Sequence, residues 1–293
     1  MPTLVLALLL AIVLGFLSNA AQARLRKTFQ RREALIWIVP LLLSAVFSGA
    51  ALLAGAWSWR LGLLVLGYTV APVLCAWVAR GVPAERPSAL DFATILLIWL
   101  PLEFAAGGRF VPRAAQAYLH SVAYGVAIVL GLVLFLGFRG FAGLKYNLPR
   151  RRRDGWLPLA GFAISAPVLI VLGMAVGFIP APHWPAQRAA TMAVAAPVIF
   201  IGTALPEEIL FRSLIQNLLM LRFGRGWRTL LAASIIFGCA HLDNGPQPLP
   251  NWRYAIVATV AGVAYGAVFE KASTVLSPAA LHMMVDWTKH YFF

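Results

Sequence analysis

Two adjacent glutamates, Glu207 and Glu208, and the nearby Arg212 lie within sequence that is otherwise strongly apolar. Charged side chains are costly in the hydrocarbon core of a membrane, so their presence in an apolar segment indicates a functional site. On an α-helix, Glu208 and Arg212 are four residues apart and reach each other as an ion pair. Glu207 points about 100° away around the helix. The pattern predicts that Arg212 holds one carboxylate while the other stays free to accept a proton.

Two histidines follow at helical spacing. His241 stands four residues after Phe237, and His282 stands four residues before Asp286, so each pair shares one helix face. A glutamate base near two histidines suits peptide-bond hydrolysis. The base removes a proton from water, a histidine orients the water or protonates the leaving amine, and donors on the far side hold the oxyanion. The same residue types also suit a zinc ion with an open position, although the chain lacks the His-Glu-x-x-His motif of zincin-type proteases.

The composition is that of a membrane protein. Of the 293 residues, 61% are hydrophobic and 12% are charged, and the mean hydropathy is +0.82. Because the apolar residues form continuous runs and one crossing takes roughly 20 residues, we predict an all-α polytopic membrane protein with about eight to ten transmembrane helices. The apolar segments lie at about 3–20, 34–56, 61–79, 89–105, 118–138, 156–179, 189–220, 229–241, 253–270 and 274–291.

The net charge of +14 is distributed between the apolar segments rather than on one soluble face. Most Lys and Arg residues lie in alternate gaps, above all at 24–32 and 139–153. This asymmetry is typical of the positive-inside rule, so we predict that these gaps face the cytoplasm and that both termini lie outside. It argues against a nucleic-acid partner. The first segment lacks a basic start, so we interpret it as a span rather than a cleaved signal. We predict a multi-pass protein of the bacterial inner membrane.

The three motifs together resemble a known family. Glu-Glu-x-x-x-Arg, Phe-x-x-x-His and His-x-x-x-Asp, in this order, are similar to the motifs of the CPBP family. This family comprises the type II CAAX prenyl endopeptidases and bacteriocin-processing proteins, also called the Abi family. The resemblance covers roughly residues 189–293. We therefore divide the chain into an N-terminal multi-span region of unassigned role at 1–185 and an intramembrane protease core at 186–293.

The resemblance implies an intramembrane endopeptidase that acts in the lipid bilayer on a membrane-embedded or lipidated protein or peptide. It implies that Glu207 is the general base acting on water and that His241 helps to activate this water. It further implies that Glu208 and Arg212 form the adjacent structural pair.

The same resemblance assigns His282 and Asp286 to the oxyanion side of the site. Asp286 stands where the family more often has Asn. An ionised Asp cannot donate to an oxyanion, so Asp286 is either protonated or orients His282. The family has been described both as metal-dependent and as a metal-free glutamic peptidase. We favour a site without a cofactor, with zinc as the alternative.

Other readings stay open. Buried charges also form ion-pair clusters that only hold helices together, and the chain would then be a non-catalytic membrane scaffold or a bacteriocin-immunity-type protein. A proton-coupled carrier also uses intramembrane Glu and His, but we expect charges in both halves of such a bundle. The pair His282 and Asp286 is alternatively interfacial, within an aromatic and basic belt formed by Trp287, Lys289, His290 and Tyr291. At the short fourth segment, we expect Asp91 and Glu103 to face the lipid headgroups.

Overall fold

Helices make up the whole of the regular structure. The computed structural model describes residues 2–245 and 248–293, and no strand occurs among these residues. The predicted all-α polytopic fold class is confirmed. The chain forms two compact units, Met1–Ala142 and Gly143–Phe293. The division that we predict between residues 185 and 186 rests on the motifs and stays a prediction.

Several helices of the first unit begin with a serine cap. The helices of this unit are α1 (Pro2–Gly15), α2 (Asn19–Arg31), α3 (Ile38–Leu53), α4 (Trp59–Val78), α5 (Ala89–Glu103) and α6 (Arg113–Leu132), which continues as a π turn at Val133–Phe138. The hydroxyls of Ser18 and Ser58 accept backbone N–H groups at the starts of α2 and α4, and Ser88 with Asp91 forms a capping box at α5. Such caps satisfy donors that the helix leaves unpaired, so they define where each helix begins.

Asp91 is buried in this unit and does not face the headgroups as predicted. The Nε and Nη2 atoms of Arg139 donate to its two carboxylate oxygens at 2.7 and 3.2 Å. A third donor of Arg139 bonds to the carbonyl of Val82. The expectation was wrong because Arg139 lies 48 residues after Asp91, and helical spacing gives no sign of a partner at that separation. The ion pair links the start of α5 to the end of α6.

The second unit contains the three predicted motifs. Its helices are α7 (Arg153–Ala175), α8 (Ala189–Ile199), α9 (Leu205–Glu208), α10 (Asn217–Phe223), α11 (Trp227–Cys239), α12 (Trp252–Lys271) and α13 (Leu276–Phe292). Helices α8, α9 and α10 run on from one another through π turns at Phe200–Ala204 and Ile209–Gln216. Together they form one helical segment of 35 residues, Ala189–Phe223.

Several helices are long enough to cross a membrane, and the chain is an integral membrane protein. Six helices of the described residues meet the length and hydropathy that a span needs, or seven if α1 and α2, which meet at 90°, count as one broken span. This is fewer than the predicted eight to ten. The difference arises because α5, α11 and α13 contain only 15, 13 and 17 residues, whereas a perpendicular crossing takes roughly 20.

Replacing Arg139 with Met tests the buried pair. The Asp91 carboxylate would lose its counter-ion inside the protein, so we expect the free energy of unfolding to fall by about 3–5 kcal/mol. Thermal or denaturant unfolding of the purified chain in detergent measures the change. Arg80 pairs with Glu33 at 3.4 Å, but their side chains are 43% and 58% accessible. Arg80→Met is the matched control, with an expected loss of at most about 1 kcal/mol. Equal losses in both variants would contradict a structural role for the buried pair.

Candidate active site

The two adjacent glutamates lie on a distorted part of a long helix. Glu207 and Glu208 end the short α9, which has a π turn on each side. Pro206, near the start of α9, has no N–H group to donate and so removes one helical hydrogen bond. Single π turns inside α-helices are rare and are often found at functional sites. The wider turns change the direction in which the side chains before and after them point, which is a distortion that regular helical spacing does not predict.

Glu208 is fully buried, and both of its oxygens are engaged. Arg212 Nε donates to its Oε2 at 3.1 Å, across the four-residue spacing predicted for this pair. Its Oε1 lies 3.0 Å from His282 Nδ1. Arg212 is also fully buried, and its guanidinium lies 4.9 Å from the centre of the Phe237 ring. Opposite charge, hydrogen bonds and an aromatic face therefore all stabilise charges that are costly to bury.

The second nitrogen of His282 faces the two carboxylates that are partly accessible. His282 Nε2 lies 3.4 Å from Asp286 Oδ2 and 3.9 Å from Glu207 Oε2. Both contacts are long for hydrogen bonds, unlike the 3.0 Å contact with Glu208. The side chains of Glu207 and Asp286 are 26% and 29% accessible, whereas that of His282 is 4% accessible. His282 is thus fixed through Nδ1, while Nε2 points towards the accessible part of the site.

His241 has a defined tautomer when it is neutral. Its Nδ1 lies 2.8 Å from the carbonyl oxygen of Phe237, and because a carbonyl can only accept, Nδ1 carries the hydrogen. The lone pair is then on Nε2, which is available to accept a proton. The ring of Phe237 lies 4.7 Å from that of His241 and 5.8 Å from that of His282. Phe237 therefore packs against both histidines and Arg212.

Three further residues of the site have no signal in the sequence motifs. The ring of Tyr265 stacks on His282 at 4.6 Å, and the ring of Tyr254 lies 4.5 Å from His241. The amine of Lys289 lies 4.4 Å from the centre of the Tyr254 ring and 4.5 Å from that of Phe178. Lys289 thus contacts an aromatic pair next to the site. The aromatic residues come from other helices or loops, so helical spacing alone could not have identified them.

The side chains do not form a ready-made metal site. In the described part of the chain, no three His, Cys, Asp or Glu side chains are arranged to hold a metal ion. Glu208 already accepts from Arg212, and the ring nitrogens of His282 face carboxylates on both sides. A zinc ion would need neutral imidazole nitrogens with their lone pairs pointing at it. A site without a cofactor therefore stays a prediction, with zinc as the alternative.

Residues 189–288 match the family model described as type II CAAX prenyl endopeptidase Rce1-like. The resemblance to the CPBP family is confirmed. No curated protein and no solved structure matches the chain. The match includes every residue of the predicted site, from Glu207 to Asp286. Residues 189–288 are referred to below as the CPBP segment.

The start of α7, which precedes the CPBP segment, holds the connection between α12 and α13. The carboxylate of Asp154 accepts from the backbone N–H groups of Arg150 and Ser273 at 3.0 and 2.8 Å. The hydroxyl of Ser273 donates to the same carboxylate. Because α13 starts just after this connection, Asp154 helps to determine where His282 and Asp286 lie. The CPBP segment thus depends on residues that lie before the region matched by the family model.

Lys145 binds the loop before α7 to the end of α12. Its amine donates to the carbonyls of Phe269 and Glu270 at 2.6 and 3.1 Å. Burial, with a smaller contribution from the nearby Arg225, lowers the pKa of Lys145 from its ordinary 10.5 to about 8. Between these two values the unfolded chain binds more protons at this residue than the folded chain does. Lys145 therefore makes the folded state increasingly favourable as pH rises through this window.

This linkage predicts a pH dependence that Lys145→Gln removes. From pH 8 to pH 10, we expect the wild type to gain stability relative to the variant, because only the wild type has this lysine to deprotonate on folding. Thermal unfolding in detergent at several pH values, with both proteins in parallel, measures the difference. Lys271 is exposed at the end of α12, and Lys271→Gln is expected to follow the wild-type profile. Parallel profiles for the wild type and Lys145→Gln would refute the linkage.

Proposed function

We propose that the chain is an intramembrane endopeptidase that hydrolyses a peptide bond in a lipidated or hydrophobic protein. The observation that carries the proposal is the difference between two neighbouring glutamates. Glu208 is fully buried and engaged by Arg212 and His282, whereas Glu207 is partly accessible beside His282 Nε2. A base must reach both water and the substrate, and the partial accessibility of the Glu207 side chain favours it over Glu208 for this role. Glu208 serves as the fixed anion that orients the histidine.

The proposed reaction begins with a proton transfer from water to the Glu207 carboxylate. As the O–H bond breaks, the water oxygen attacks the carbonyl carbon of the scissile bond, and the carbonyl oxygen becomes an oxyanion. The proton held by Glu207 then passes to the amide nitrogen, the C–N bond breaks, and an acid and an amine leave. His241 Nε2, as acceptor, orients the attacking water, and its Nδ1–H bond to the Phe237 carbonyl maintains that tautomer.

His282 provides the donor for the oxyanion. Its Nδ1 is fixed by Glu208 at 3.0 Å, while Nε2 makes only long contacts, at 3.4 Å with Asp286 and 3.9 Å with Glu207. The Nε2–H group can therefore donate to a developing negative charge with little loss of existing bonding. This assignment favours Asp286 as the residue that orients His282, rather than as a protonated donor. Its ionised form balances the positive charge on a doubly protonated imidazole.

The family and the setting together support the substrate class. The matching model is that of CAAX prenyl endopeptidases, which suggests a membrane-associated, prenylated or otherwise lipidated protein as substrate. The site lies on apolar helices of an integral membrane protein, so a hydrophobic segment reaches it without leaving the bilayer. We further propose a bacterial inner-membrane location and a glutamic rather than a metal-dependent mechanism. The donor geometry around His282 favours the glutamic mechanism.

Replacing Glu207 with Gln removes the proposed base without changing the size of the side chain. We expect the cleavage rate to fall by about 10²–10⁴-fold, the usual contribution of a general base. Release of the C-terminal fragment of a prenylated reporter peptide in proteoliposomes measures the rate. A chelator added to the wild type is expected to leave cleavage unchanged. Loss of cleavage with the chelator, followed by recovery with added zinc, would overturn the glutamic mechanism.

Glu85→Gln is the matched control, because Glu85 is exposed and lies outside the CPBP segment. This variant is expected to cleave at the wild-type rate. Unfolding curves for both variants separate a loss of chemistry from a loss of structure. If Glu207→Gln is folded and retains full activity, the endopeptidase proposal fails and the non-catalytic scaffold takes its place.

A further inference from the structure

The first unit contains a large apolar cavity that the proposed reaction does not use. Its volume is about 800 Å³, and its walls come from α3, α4, α5, α6 and the turn at Ala105–Gly108. This is within the usual range for small-molecule sites, roughly 300–1,000 Å³. The residues that the structure places on the wall include no Asp, Glu, Lys or Arg, and their one histidine is the exposed His120. The interior therefore suits a hydrocarbon chain.

The polar groups on the wall are mostly committed to the protein itself. The Tyr68 hydroxyl donates to the carbonyl of Ile98 at 2.7 Å. The amide of Gln116 donates to the carbonyls of Gly108 and Val111, each at 3.2 Å. A polar ligand would have to break these bonds or leave its own groups unpaired, which is costly away from water. An apolar chain needs none of them.

Three arginines adjoin the residues that line this cavity. Arg60 directly precedes the lining residue Leu61, Arg109 directly follows Gly108, and Arg113 stands two residues after Val111. All three are exposed. One acidic residue, Glu103, also adjoins the lining, because it directly follows Leu102, and it accepts from the indole N–H of Trp99 at 2.7 Å. Three arginines against one glutamate leave a net positive charge on the residues next to the lining at one end of the cavity.

The surrounding aromatic residues indicate that this end lies at the membrane surface. Trp59 and Phe104 are 62% and 69% accessible. The guanidinium of Arg60 lies over the Trp59 ring at 5.4 Å, and that of Arg109 lies over Phe110 at 4.8 Å. Exposed Trp next to Arg is typical of the boundary between hydrocarbon and headgroups. The cavity therefore begins at the level where a lipid changes from charged to apolar.

We propose that this cavity binds one anionic phospholipid. An acyl chain occupies the apolar space, and the phosphate lies among Arg60, Arg109 and Arg113. A neutral lipid satisfies only the apolar half of the site, and a soluble anion satisfies only the charged half. Basic residues close to a membrane surface each favour an anionic headgroup by about 1 kcal/mol. The first unit thus has a lipid-binding role that is independent of the proposed peptidase reaction.

A larger side chain at Gly67 would fill part of the cavity. Gly67 lines the wall on α4, and a Cβ atom built at this position meets no other atom within 4 Å. A leucine there would extend into the space assigned to the acyl chain without a backbone clash. Gly49 on α3 is the matched control, because its Cβ position is equally open but it does not line the cavity. Ala123→Leu, on the α6 wall, is a second filling variant should Gly67→Leu fail to fold.

The test titrates the purified full-length chain in detergent with phosphatidylglycerol or with phosphatidylcholine of the same acyl chains. Native mass spectrometry measures the bound lipid. We expect the wild type to prefer phosphatidylglycerol. Gly67→Leu displaces several methylene groups of the chain and should weaken binding of both lipids by about tenfold or more. Gly49→Leu should bind as the wild type does.

The charged half of the site is tested with the triple variant R60Q/R109Q/R113Q. Three lost contacts should weaken phosphatidylglycerol binding by roughly a hundredfold. Phosphatidylcholine binding should fall much less, because its choline group offsets the charge of its phosphate. If the triple variant keeps its preference for phosphatidylglycerol, the arginines do not bind the headgroup. If both filling variants fold and bind both lipids as the wild type does, the cavity does not hold the chain. Either result overturns the proposal.

Discussion

The candidate site depends on one fully buried carboxylate, Glu208. An isolated anion in this environment would be very costly, so Glu208 requires Arg212 on one oxygen and His282 on the other. Of these two contacts, the one with His282 ties the long helix of Glu208 to α13, and the one with Arg212 lies within that helix. They also leave His282 with only one nitrogen free to act. The chemistry assigned to Glu207 is possible because its neighbour takes the structural role.

Aromatic packing extends this arrangement to the second histidine. Phe237 contacts Arg212, His241 and His282. Tyr265, on α12, stacks on His282. Aromatic rings hold charged and polar partners in place without offering competing hydrogen bonds. The histidine orientations are therefore determined by packing as well as by hydrogen bonds. A site of this type tolerates few changes of ring size at Phe237 or Tyr265.

Sequence reasoning succeeded where partners lie on the same helix. Glu208 with Arg212 and His282 with Asp286 are each four residues apart, and both contacts are present. Helical spacing does not predict contacts between distant segments. The bond from Glu208 to His282 spans 74 residues, and the burial of Asp91 depends on a partner far along the chain. The number of spans was also overestimated, because short apolar segments such as 229–241 were counted as crossings, whereas α11 contains only 13 residues.

The 35-residue segment Ala189–Phe223 has a consequence for how deep the site lies. At 1.5 Å per residue, such a segment measures roughly 52 Å, well beyond the ~30 Å of the hydrocarbon layer. Glu207 stands near its middle, with about 27 Å of helix before it and about 24 Å after it. Neither portion alone traverses the hydrocarbon. At every position along the bilayer normal for which the segment still crosses the hydrocarbon layer, Glu207 lies below the headgroups. In the proposed reaction, water and the scissile bond would therefore both enter the bilayer to meet Glu207.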